Sequence, residues 1–255
     1  MNSILAGRPA ALAVSAVGLA LISLTGGFGA VDLLSPWVLH EGTQVTDVGY
    51  GTLAGLVIPI GLLTQTRSPE KHVAGLQQVA AAAVAFLLAG AITGERPLLA
   101  AAAAVTLATA ALAALHPRRR ALVSLPARPS LPLLALAVVA CAPGSQYALH
   151  MAFNQRNGVL PADAHLGLQH WAALSAAALA ALFAALLASL RTGGFAIPGF
   201  TAAAAVFAWA LACLAYPHSA GALSPTWAGL SIVWAITFAL TTVREQERLQ
   251  TDRSV

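Results

Sequence analysis

Apolar residues run along this chain in long uninterrupted blocks, without the alternation or three-four rhythm that marks a single buried face of a soluble element. Eight blocks of about 20 residues emerge, each long enough to cross a hydrocarbon core as a helix. They cover approximately 10–34, 48–65, 73–94, 97–115, 131–151, 166–190, 195–216 and 224–243. A barrel would instead show strands of about ten alternating residues, so the expected fold is all-α: a polytopic transmembrane helix bundle with eight spans.

Polar punctuation divides the blocks into two sets of four. Residues 1–122 form a first four-helix membrane repeat, 123–130 a basic connection, 131–243 a second four-helix repeat and 244–255 a tail. The tail, beginning REQERLQTDR, reads as a short solvated helix end or a disordered terminus. Asp47 opens the second span with Gly51 four residues on, and Asp163 opens the sixth with Gly167 four residues on. Letter identity between the halves is low. Because each half holds an even number of spans, duplicated halves would share one orientation.

Charge then supplies direction. Only 9% of the residues are charged, and mean hydropathy is +0.78, a balance no soluble surface of this size can carry. With eight spans, Arg8, Arg67, Lys71, Arg118, Arg119, Arg120, Arg128, Arg191, Arg244, Arg248 and Arg253 share one side, leaving Arg96 and Arg156 opposite. Retention of basic loops in the cytoplasm therefore puts both termini inside, in the plasma (inner) membrane of a bacterium. The same reading accounts for the net charge of +4 without nucleic acid as a partner. The first span also resembles a secretory leader, with Gly29-Ala30 as a small-residue cleavage site, but its apolar run is at or beyond the length of a leader's core.

Candidate chemistry lies on the expected outer side. Helix-weakening residues interrupt the first span at Thr25-Gly26-Gly27-Phe28-Gly29 and the fifth at Pro143-Gly144-Ser145-Gln146-Tyr147. Interruptions at matching places in two halves point to a transporter's binding site, since unwound backbone offers carbonyls and amides to a solute. Asp32 and His150 follow these breaks and are the expected titrating pair. Arg156 offers a cation to an anionic group or pairs with Asp163. The expected substrate-binding set is Gly26, Gly27, Asp32, Pro143, Gln146, His150 and Arg156.

A second reading concerns metal. DAHLGLQHW places Asp163, His165 and His170 close in sequence, and His150 is the donor another span would add. A divalent ion held there would suit hydrolysis of a lipid or envelope precursor. In the simpler alternative Asp47 and Asp163 cap helices, Trp171 sits in the aromatic belt, and the protein is an accessory subunit packing on a partner or on a second copy. No GxSxG, P-loop, GxGxxG, CxxCH or HExxH is present, no Lys lies within a span, and Cys141 and Cys213 form no CxxC. These motifs mark no certain cofactor, a divalent metal ion is the one candidate, and the expected partners are the lipid bilayer and a small solute or ion.

Overall fold

The computed structural model describes residues 8–38, 43–124, 129–158, 164–165 and 168–254. It is an all-helical bundle with eight helices long and apolar enough to span a membrane: Pro9–Gly26, Gln44–Thr66, Val73–Thr93, Arg96–Leu115, Leu131–Arg156, His170–Ser189, Ala196–Ala215 and Pro225–Thr251. The eight apolar blocks thus become eight helices. Outside them lie a short helix at Gly29–Leu34 and a two-residue antiparallel ladder, Ala164–His165 with Leu168–Gln169.

Connections alternate between the two ends of the bundle, and hydrogen bonds tie those at each end together. At one end, the His116 Nε2–H donates to the Pro69 carbonyl (3.2 Å), Gln77 to Leu122 (2.9 Å), the Ser130 N–H to Ser189 (2.7 Å) and the Ala74 N–H to Gly193 (2.9 Å). Arg67, Lys71, Arg118, Arg119, Arg120, Arg191, Arg244 and Arg248 gather there, and we call it the arginine end. At the other, Gln155 donates to Glu95 (3.2 Å), the Val45 N–H to the Ser219 hydroxyl (3.2 Å) and Tyr147 to the Gly221 carbonyl (2.8 Å). This is the His170 end.

The second, third, sixth and seventh spans are half or more buried and pack on one another. The first and fourth flank this centre, the fifth and eighth form a second flank, and all four are largely exposed. In the first half the flanking pair closes on itself: Leu12, Ala16 and Ala20 share one buried cluster with Leu98, Ala102 and Leu112. The fifth and eighth close only at the arginine end, where Leu133 and Ala137 meet Phe238 and the Trp234 Nε1–H donates to the Leu136 carbonyl (2.9 Å).

The two expected interruptions fare differently. The first span loosens into a π turn at Ile22–Gly26, in which the Gly27 N–H reaches five residues back to Ile22 (2.7 Å). Phe28 then takes a left-handed conformation, φ 57°, before the helix resumes at Gly29. The fifth span, in contrast, stays helical from Leu131 to Arg156, straight through Pro143. A single proline removes only one backbone bond, which a transmembrane helix tolerates where its neighbours hold it in place. Gly144 here serves packing, since a Cβ on it would come within 2.9 Å of Leu182. The break expected at Pro143–Tyr147 is therefore corrected to a continuous helix.

A second π turn, Leu53–Val57, lies in the second span against the first. The Ser23 hydroxyl donates to its Ala54 carbonyl (2.7 Å) and Gln78 to its Val57 carbonyl (2.5 Å), so groups released by the irregular winding regain donors. The short Gly29–Leu34 helix lies directly on this region; a side chain at Gly29 or Gly51 would run into backbone.

Candidate functional site

A cavity of about 650 Å³ opens where the fifth and eighth spans part. Its walls come from the fifth to eighth spans, with Gly49 and Thr52 of the second. They are mainly apolar: Leu174, Ala177, Val206, Leu230 and Val233, with the rings of Trp209, Trp227 and Trp234. Among the described lining residues there is no Asp, Glu, Lys or Arg. This volume falls within the range of small-molecule sites, whose walls are likewise apolar with a few placed polar groups.

Most of those polar groups are already engaged. Tyr147 donates to Gly221 while its ring meets the edge of Trp209, centroids 4.6 Å apart. Thr52 bonds back to Gly49 (2.7 Å), Ser231 to Trp227 (2.9 Å) and Thr237 to Val233 (2.8 Å), each within its own helix. Gln146 and His150 differ. His150 meets Asn154 at 3.3 Å, one turn further on; among the described residues its second ring nitrogen and the Gln146 amide have no partner, and nor does the buried Trp209 Nε1–H. Residues 146, 150 and 154 are spaced by four, so they form a polar row on one face of the fifth span, running from the cavity toward the His170 end.

The arginine end is sealed. Leu133, Ala137, Phe195, Ala202 and Phe238 form one buried cluster, and Trp234 stacks on Phe238 at 4.8 Å. Beyond it Glu245, 1% exposed, accepts from Arg191 and from Arg248 (2.9 Å). The tail's first carboxylate is thus buried, a correction to the solvated reading of 244–255. Arg191 reaches it from a left-handed position, φ 55°, in the connection after the sixth span.

The expected site residues separate into several places. Pro143, Gln146 and His150 line the cavity. Gly26 and Gly27 lie in the irregular end of the first span. Asp32, in the short helix, packs beside Gly51 of the second span, while His150 bonds within the fifth. Arg156 ends the fifth span and reaches the Ile92 carbonyl at 3.5 Å. The side chains of Asp163 and His165 lie outside the described residues. Among the described residues no group of three or more His, Cys, Asp or Glu converges as a metal site.

One pairing went unread in the sequence. Asp47 lies one turn inside its helix, whose N-cap is Thr43, so its carboxylate does not have the expected capping position. It accepts from the Thr43 hydroxyl (2.8 Å) and faces the His170 imidazole at 3.7 Å. The pair joins the second span to the sixth, one in each half of the chain, close to Gly49 and Leu174 of the cavity wall. Residues 123 apart carry no spacing signal for such a contact. Comparison with protein-family models, with curated proteins and with solved structures finds no match for this chain.

Proposed function

We propose that this multi-pass membrane protein binds a small ligand in the cavity between its fifth and eighth spans and carries it across the bilayer. The cavity carries the reading: it opens in the half of the bundle toward the His170 end, while packed side chains and the Glu245 ion pairs seal the other. Access from one side with closure on the other is what a carrier in one of its two states requires. The positive-inside rule makes the sealed end cytoplasmic and the open half outward. The matched packing of the two halves, with central second, third, sixth and seventh spans and flanking pairs on either side, supports tandem repeats related by an axis along the membrane normal.

The site differs from the expected one in lying mainly within the second half, with Gln146, His150 and the Trp209 Nε1–H as its uncommitted polar groups. A background lacking Cys141 and Cys213 allows a direct test. Gln146→Cys is expected to react with a membrane-impermeant thiol reagent added outside intact cells, and Ala202→Cys, inside the sealing cluster, to be protected from either side. Glu245→Ala in the Ala202→Cys protein is expected to expose position 202 from the cytoplasmic face. Reaction at 146 only from the cytoplasm would overturn the reading.

A further inference from the structure

We infer that the ligand is a single-chain amphiphile with an acidic head, admitted sideways from the outer leaflet between the fifth and eighth spans; this rests on the cavity being the ligand site. The two helices that frame the opening are peripheral, and the side chains at its edge are strongly exposed apolar ones: Val139 at 67%, Val233 at 61% and Leu230 at 54%. A water-soluble solute gains nothing from such an entrance, whereas a hydrocarbon chain passes from lipid into the cavity without leaving apolar surroundings.

Size and polarity narrow the class. A space of about 650 Å³ suits one chain of a drug-sized ligand and is too small for a two-chain lipid. The head would lie at the polar row of Gln146, His150 and Asn154, and the Trp209 Nε1–H, buried without a partner among the described residues, adds a further donor in the same cavity. An amide N–H and an imidazole N–H donate to a carboxylate or phosphate oxygen, and no described lining carboxylate repels one. Among the described lining residues there is likewise no carboxylate to recognise a cationic head.

Quenching of tryptophan by bromine reads occupancy directly. The protein, with Trp209 kept and the other tryptophans replaced by Phe, is reconstituted in nanodiscs of unbrominated lipid and titrated with mid-chain dibrominated stearic acid. Saturable quenching is expected, reversed by unlabelled long-chain carboxylate and unaffected by hexanoate. A brominated monoacyl phospholipid in a parallel arm tells a carboxylate head from a phosphate one, and saturable binding of either supports the assignment. Binding should weaken at least tenfold in Gln146→Leu/His150→Leu and disappear in Ala140→Phe/Ala178→Phe, which fills the cavity without adding a tryptophan. Quenching that never saturates, or that is equal in the filled variant, would overturn the inference. If hexanoate displaces the probe as well as a long chain does, the chain requirement fails while the cavity remains a solute site. Loss of all binding together with inaccessibility at position 146 would remove the parent reading too.

Discussion

His116 shows how a single side chain becomes a joint between loops. It is 3% exposed, its Nδ1 accepts the Arg118 N–H (3.0 Å), and its Nε2 must therefore carry the proton donated to Pro69. Burial pushes its pKa below the ordinary 6.5, against weaker opposing help from the Pro69 carbonyl and Glu70. The sign follows: above about pH 6.5 neither folded nor unfolded chain is protonated here, and the joint contributes fully. As pH falls from 6.5 toward the lower folded value, the unfolded chain takes up the proton first and stability is lost. Thermal melts of purified protein between pH 7.5 and 5 should therefore decline, and His116→Gln should flatten that decline; equal slopes would contradict the assignment. Glu245 is the second residue of this kind. Glu245→Ala leaves Arg191 without its buried partner and should cost about 3 kcal/mol, the lower end for breaking a buried pair because Arg191 is partly solvated. A loss below roughly 1 kcal/mol in denaturant unfolding would show the pair to be incidental.

Among the elements, irregular winding in the first two spans is the distinguishing feature. The Ser23 hydroxyl supplies the donor that the Ala54 carbonyl would otherwise lack inside the bilayer. Ser23→Ala should therefore cost about 1 kcal/mol, the scale of an interhelical hydrogen bond in membranes. Gly51→Leu should cost more, about 2 kcal/mol or beyond, by forcing the Gly29–Leu34 helix away from the second span. Melting of both variants in one detergent checks the order, and a milder effect at Gly51 would contradict the packing. These elements also mark what local sequence can announce. Thr25-Gly26-Gly27 signals the first break because glycine weakens a helix wherever it stands. Pro143-Gly144 sends the same signal falsely, since packing against Leu182 and the Tyr147 anchor hold the helix together. Leu53–Val57 holds Gly55, but the Gly29 backbone lies where its Cβ would stand, so that glycine marks close packing as much as a π turn, and the donor that answers the turn lies 31 residues away.

For the whole molecule, eight apolar blocks were enough to foresee eight helices long and apolar enough to span a membrane, because length and hydropathy act on each span separately. Which spans form the centre, where the flanks part and which side chains meet across 50 or 100 residues depend on tertiary packing that no single block encodes. Asp47 with His170, Arg191 with Glu245 and the parting of the fifth and eighth spans all belong to that class. The orientation of the entire bundle decides whether the cavity faces the outer leaflet, so it is best tested first. In a cysteine-free background, Arg120→Cys and Asn157→Cys are each exposed in intact cells to a membrane-impermeant maleimide. Labelling at 157 in intact cells, with labelling at 120 only after permeabilisation, is the expected result. Position 120 reacting in intact cells, or both positions reacting from one side, would contradict the eight-span orientation and the outward site built on it.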